Sequence, residues 1–151
     1  MRKLTHVDEK RRPRMVEVGD KPVSRRHARA SGFIRLQPET LRLIASDKIT
    51  KGSVLVTAEL AGVQAAKQTA HLIPLCHLLP LSGIQVEAVL EADGARVTAA
   101  VANTGQTGVE MEALTAVSVA LLTIYDMCKA VDKQMVIEAI QLLEKTKSPI
   151  G

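Results

Sequence analysis

Asp126 and Lys129 stand one helical turn apart in the run Asp126-Met127-Cys128-Lys129, and a carboxylate and an ammonium at that spacing share a face. Such a pair can serve as proton acceptor and donor, each shifting the other's pKa. The same spacing also fits an ordinary surface ion pair, worth under about 1 kcal/mol. A second group is Thr104-Gly105-Gln106-Thr107-Gly108 followed by Glu110-Met111-Glu112. A glycine-bearing loop entering a helix offers backbone amides to an anion, although the run carries neither a P-loop nor a dinucleotide fingerprint. Glu112 would be free to accept hydrogen bonds from a purine-like or pterin-like amino group. A third group is Leu75-Cys76-His77, between Pro74 and Pro80. Adjacent Cys and His lack the spacing and the companions of a structural zinc site. Cys76 is then a nucleophile or a buried thiol, and His77 a phosphate or ring ligand. Arg26, Arg29, Lys51, Lys67 and Lys145 are scattered cations that matter only if folding gathers them around a polyphosphate.

The elements that must position these groups follow from periodicity and turn chemistry. Residues 1–29 have little pattern, with Pro13, Gly19 and Pro22 as breakers, and read as an extended arm. Ala30 to Leu36 reads as a strand. Pro38-Glu39 opens a short helix, proline suiting the first helical position and an acid the first turn. Ser46 to Gly52 is a turn, Val54 to Leu60 reads as a second strand, and a helix from about Val63 to Leu72 ends before Pro74 and Pro80. Ile84, Val86 and Ala88 alternate up to Glu91, Asp93-Gly94 turns the chain, and Val97, Ala99 and Val101 return it as a hairpin. The longest helix begins at Thr107-Gly108-Val109-Glu110, which matches a capping box, and runs to about Val131. Its expected buried face is Met111, Leu114, Val117, Ser118, Leu121, Leu122 and Tyr125. Residues 135–143 fit a helix or a strand. Strands interleaved with helices, plus a hairpin, point to an α+β fold with a mainly antiparallel sheet, a basic arm over 1–29 and one catalytic domain over 30–151.

Composition narrows the function classes. Phe33 and Tyr125 are the only aromatic residues, so the core must come from Ala, Val, Leu, Ile and Met. Two cysteines, Cys76 and Cys128, give no disulfide framework. Met1 to Arg14 is polar and basic, so no secretory signal is expected, and no long uninterrupted apolar run suggests a membrane span. A cytoplasmic protein is the simplest reading. Of the formal charge of +4, residues 1–29 hold ten Lys and Arg against four acids, while the rest holds ten against twelve. The excess cation therefore sits on the arm, where it would meet nucleic acid or an anionic small molecule.

Several runs, in order and at matching spacing, make the chain similar to a known family. They are Met15-Val16-Glu17-Val18, Lys51-Gly52, Ala61-Gly62 with Ala65-Ala66-Lys67, Leu72-Ile73-Pro74-Leu75-Cys76-His77, Thr107 through Ala116, and Thr123 through Ala130. On these the chain resembles the MoaC family along nearly its full length. The resemblance implies a ferredoxin-like α+β sandwich, a homo-hexamer built as a trimer of dimers, and active sites at subunit interfaces. It implies a lyase of molybdenum cofactor (molybdopterin) biosynthesis that turns 3′,8-cyclo-7,8-dihydro-GTP into cyclic pyranopterin monophosphate and releases pyrophosphate, with no metal or organic cofactor. By matching position it makes Asp126 and Lys129 the catalytic acid/base pair. Leu75, Cys76, His77, Met111 and Glu112 become substrate-binding, with Lys51, Lys67, Glu110 and Lys145 as further polar site positions. It also makes residues 135–143 a strand. Two departures stand out: Leu78 follows the Leu-Cys-His run where the family usually has proline, and the usual Lys-Ser-Gly-Gly-Lys-Ser-Gly tail is here Lys145-Thr146-Lys147-Ser148-Pro149-Ile150-Gly151. Lys145 keeps its match; the second lysine and the glycines do not.

Two other classes make different demands. A nucleic-acid-binding module using the arm predicts steeply salt-dependent binding, but two aromatic residues offer almost no stacking platform for single strands. A purely structural oligomer would leave Asp126 and Lys129 without a purpose. The enzyme reading expects a GTP-derived substrate and neither a nucleic-acid nor a membrane partner.

Overall fold

A computed structural model describes residues 5–150. Four strands and three helices follow in the order β1 (Ser24–Arg35), α1 (Pro38–Ala45), α2 (Val54–Leu72), β2 (Leu81–Glu91), β3 (Gly94–Gly105), α3 (Glu110–Cys128) and β4 (Val136–Pro149). The strands form one antiparallel sheet in the order β2-β3-β1-β4. With α2 and α3 as the crossovers this is a ferredoxin-like α+β sandwich. β3 alternates as a half-buried strand should, with Ala95, Val97, Ala99 and Val101 fully buried against the helices.

α2 and α3 run antiparallel across the sheet. Lys51, just before α2, meets Asp126 near the end of α3, whereas Cys76, just after α2, borders the same cleft as Glu112 at the start of α3. Between these ends the helices touch closely at Gly62: a Cβ there would lie 2.9 Å from Val86 Cγ1 and 3.1 Å from the Ala116 carbonyl. Small residues on both helices, among them Ala58, Ala65, Ala113, Ala116 and Ala120, are buried in this seam and beneath it.

The structure corrects several sequence expectations. Val54 to Leu60 is helix, the first part of α2. Its Val and Thr content suggested a strand, yet Val54, Ala58, Gly62, Ala65 and Thr69 recur at helical spacing on the buried side, and packing against α3 overrides propensity. The buried face of α3 is also different: Met111, Leu122 and Tyr125 are exposed, while Ala113, Ala116, Val117, Ala120, Leu121, Ile124, Met127 and Cys128 are buried. α3 faces both the sheet and α2, so its contact surface is broader and richer in alanine than one leucine stripe. By length and composition it would suit a membrane span, but here it is the core helix. The capping box does not form. Val109 is the N-cap, with no side-chain cap bond, so Glu110 sits one residue into the helix rather than three. β1 begins at Ser24, making strand of the last part of the expected arm. β4 makes strand of residues 136–143, leaving Met135 outside it, and continues to Pro149.

Because Gly62 leaves no room for a branched side chain, Gly62→Val is expected to cost about 1–3 kcal/mol through overpacking. Urea unfolding with an unchanged m-value would read this; a stability equal to the parent would show that the seam yields.

Candidate functional site

The residues singled out in the sequence fall into two clusters at opposite ends of α3. At its C-terminal end, Asp126 is held from both sides: Lys129 Nζ lies 2.9 Å from Oδ1 and Lys51 Nζ 2.8 Å from Oδ2. Lys51 also donates to the Asp126 backbone carbonyl at 3.1 Å. The end of α3 supplies Asp126 and its C-cap residue supplies Lys129, at i and i+3, and the turn before α2 supplies the third only because the helices are antiparallel. Hydrogen bonds from Lys51 and then Lys129, with their charges, hold the Asp126 carboxyl down at about 2. The same contacts raise Lys129, chiefly through its bond to Asp126. All three side chains are about half exposed, so solvent screens the triad.

At the N-terminal end lies a cleft of about 280 Å³. Leu75, Cys76 and His77 form one wall, Gly108, Glu110, Met111 and Glu112 another, and residues of the chain's beginning, Val16, Val18 and Lys21 among them, a third. His77 Nε2 lies 2.6 Å from the Val16 carbonyl. A carbonyl only accepts, so the ring proton is on Nε2, and in the neutral ring Nδ1 is an acceptor. Gln106 ties down the same early segment, its Nε2 donating to the carbonyls of Gly19 at 2.6 Å and Lys21 at 3.2 Å.

The carboxylates in this cleft have different surroundings. Glu112 is buried, and burial raises its pKa, with the nearby Glu110 charge adding to the rise. Burial pushes Glu110 up as well, but its own backbone amide, Lys145 and Arg26 outweigh that and leave it lowered. Lys145 Nζ sits 3.0 Å from Glu110 Oε1. Burial, then Glu112, raises the Cys76 thiol; that disfavours the thiolate a nucleophile needs, so the geometry supports packing and ligand contact rather than attack. Among the described residues, no three His, Cys, Asp or Glu side chains gather as a metal ion would require.

A second cleft, about 220 Å³, adjoins the first at Gly108 and Glu110 and is bordered by Arg26, His27, Lys145 and Lys147. The scattered cations thus divide. Arg26 and Lys145 share this cleft and Lys51 joins Asp126. Lys67 is exposed on α2 without lining either cleft, and Arg29 points to the other sheet face, paired with Glu144 at 3.5 Å. Sequence reading missed Lys21 and Lys147 as cleft residues, whereas Thr107 and Gly108 of the loop it singled out do line the first cleft. Only the register of β4 against β1 would have revealed Lys147, and nothing local signals Lys21.

One chain does not bring the two clusters together. From Glu112 to Asp126 along a straight helix is roughly 20 Å at 1.5 Å per residue, and both ends are anchored by packing.

Residues 15–148 match the model of the MoaC family. A protein of Pelotomaculum thermopropionicum named cyclic pyranopterin monophosphate synthase is 55% identical over 150 residues, covering 98% of this chain and 88% of its own length.

The Asp126 carboxyl is depressed by its two lysines, so removing one should release it. In Lys51→Met its pKa is expected to climb from about 2 toward the ordinary 3.8. For a depressed acid the linked stability is complete above the unfolded value and lost as pH falls through about 2. Carboxyl ¹³C titration by NMR checks this, and an unmoved value in the variant would show that Lys51 does not set it.

Proposed function

This chain belongs to the MoaC family, and we propose from that premise that it is the lyase converting 3′,8-cyclo-7,8-dihydro-GTP into cyclic pyranopterin monophosphate with release of pyrophosphate, an early step of molybdenum cofactor biosynthesis. The observation that carries the reading is the Asp126 carboxylate clamped between the Lys51 and Lys129 ammonium groups. The 55% identity over 98% of the chain with a relative of that name supports it.

The reaction sets two physical demands. Ring opening and reclosure must move protons on and off nitrogen and oxygen. Closing the cyclic phosphate requires a sugar hydroxyl to attack the α-phosphorus: the hydroxyl proton goes to a base, the bond to the β-phosphate breaks, and pyrophosphate leaves with the electron pair. Lys51 and Lys129 supply protons and positive charge to the developing oxyanions. Asp126 holds both ammonium groups in place and takes a proton once substrate excludes water. A carboxyl at about 2 is a weak base in open solvent, and desolvation is what raises it. Leu75, Cys76, His77, Met111 and Glu112 bind the ring system, with Glu112 presenting a carboxyl to its amino group. Glu110 and Lys145 supply charge at the mouth of the second cleft, and Lys21 and Arg26 of the first segment add cations for three phosphates. Lys67, which borders neither cleft of its own chain, joins a site only where another copy presents it.

Because the triad and the cleft lie at opposite ends of one rigid helix, a complete site takes the cleft from one copy and the triad from another. A homo-hexamer, a trimer of dimers, is the assembly we propose. Exposed apolar side chains support it: Leu122 and Tyr125 beside the triad on α3, and Val136, Ile140, Leu142 and Leu143 on the edge strand β4. The two free cysteines suit a reducing, cytoplasmic setting.

Asp126 is exposed, so Asp126→Asn should fold normally by circular dichroism while product formation falls at least about 10²-fold. Turnover at the parental rate would refute the assignment. Mixing inactive Asp126→Asn with inactive Glu112→Gln subunits should restore part of the activity, since some sites then receive both intact halves; no recovery in verified mixed oligomers would place each site within one chain.

A further inference from the structure

Lys147 belongs to the tail that departs from the family pattern, and its surroundings suit an anion. Cross-strand pairing sets Lys147 opposite Arg26 and Lys145 opposite Ala28. Residues two apart on a strand share a face, so both lysines stand with Arg26 on the side of the sheet that carries the helices. The three side chains border the second cleft, whose other wall is Gly108, Val109 and Glu110 at the entry of α3.

The commitments of these groups differ. Lys145 is spent on Glu110 at 3.0 Å. Arg26 gives Nη2 to the Gln106 carbonyl at 3.3 Å, and its Nε is buried without a hydrogen-bond partner among the described residues. Burying a donor without an acceptor is unfavourable. Lys147 is exposed and makes no ion pair among the described residues. The single acid bordering the cleft, Glu110, is already neutralised by Lys145. An unspent ammonium and the Arg26 guanidinium thus border a space that adjoins the ring-binding cleft at Gly108 and Glu110.

We propose that Lys147, with Arg26, forms a subsite for the terminal phosphates of a triphosphate-bearing ligand. The role in turnover rests on the substrate assigned above; the anion chemistry of the cleft stands on its own. Lys147 is a binding residue in this scheme. The terminal phosphates leave as pyrophosphate and gain charge as the bond to the α-phosphate breaks, so the contact acts on kcat/KM.

Two measurements on the full-length protein test it. Inorganic triphosphate, followed by calorimetry at low salt, should bind about tenfold more weakly to Lys147→Ala, the effect of losing one charge-assisted bond. Lys147→Arg should restore binding, and Lys48→Ala, an exposed lysine outside both clefts, should leave it unchanged. The difference between parent and Lys147→Ala should shrink as salt is added, since exposed charges are screened. In turnover, Lys147→Ala should lower kcat/KM by at least a similar factor, and Lys147→Arg should restore it. Equal triphosphate affinity in parent and Lys147→Ala, or an equal loss in Lys48→Ala, would overturn the subsite. A parent that binds triphosphate through Lys147 yet forms no product would overturn the proposed reaction and leave the subsite standing. A parent that does neither would overturn both.

Discussion

Two nineteen-residue helices, α2 and α3, lie antiparallel in close contact, and both the triad and the ring-binding cleft depend on that packing. Gly62 allows the approach, because a side chain there would press on Val86 and on the Ala116 carbonyl. The approach places the turn before α2 against the end of α3, so that Lys51 reaches Asp126. It equally places the turn after α2 against the start of α3, so that Leu75 to His77 faces Met111 and Glu112. A slip of one turn, about 5.4 Å, would break the triad and open the cleft wall together.

The same helix carries two carboxyl groups driven in opposite directions by their surroundings. Glu112 sits in the first turn, where the helix dipole favours negative charge, yet burial wins and raises it. Asp126 sits near the C-terminal end, where the dipole opposes a negative charge, yet two ammonium groups win and lower it. Separated environments that push titratable groups apart are how one protein holds an acid and a base at one pH. Within a single chain these two groups are too distant to act on one molecule, so the proposed chemistry needs the ends of two copies to meet. The apolar side chains left exposed next to the triad and along β4 are what such a meeting would bury.

Local signals made much of the fold legible. The Asp93-Gly94 turn between alternating strands, the proline opening α1 and a long helix after the hairpin all appear as expected, although that helix spans Glu110–Cys128 and stops short of Val131. The failures share a cause. Val54 to Leu60 read as strand because β-branched residues favour one, until contact with α3 is counted. Leu122 and Tyr125 read as buried because periodicity finds an apolar stripe without saying what covers it. Glu110 read as a cap because the spacing was right, but the helix starts later and Lys145, distant in the chain, claims the carboxylate.

By itself, the sequence determined the residue types, the pairing of Asp126 with Lys129 across one turn, and the runs that place the chain in its family. These are local or linear facts, fixed by backbone periodicity and residue order. Tertiary structure alone decided that Lys51 completes the Asp126 clamp, that Lys147 stands beside Arg26, and that the triad and the cleft lie at opposite ends of α3. Those facts depend on how antiparallel helices and strands register against one another, and register is set by close packing between residues far apart in the chain.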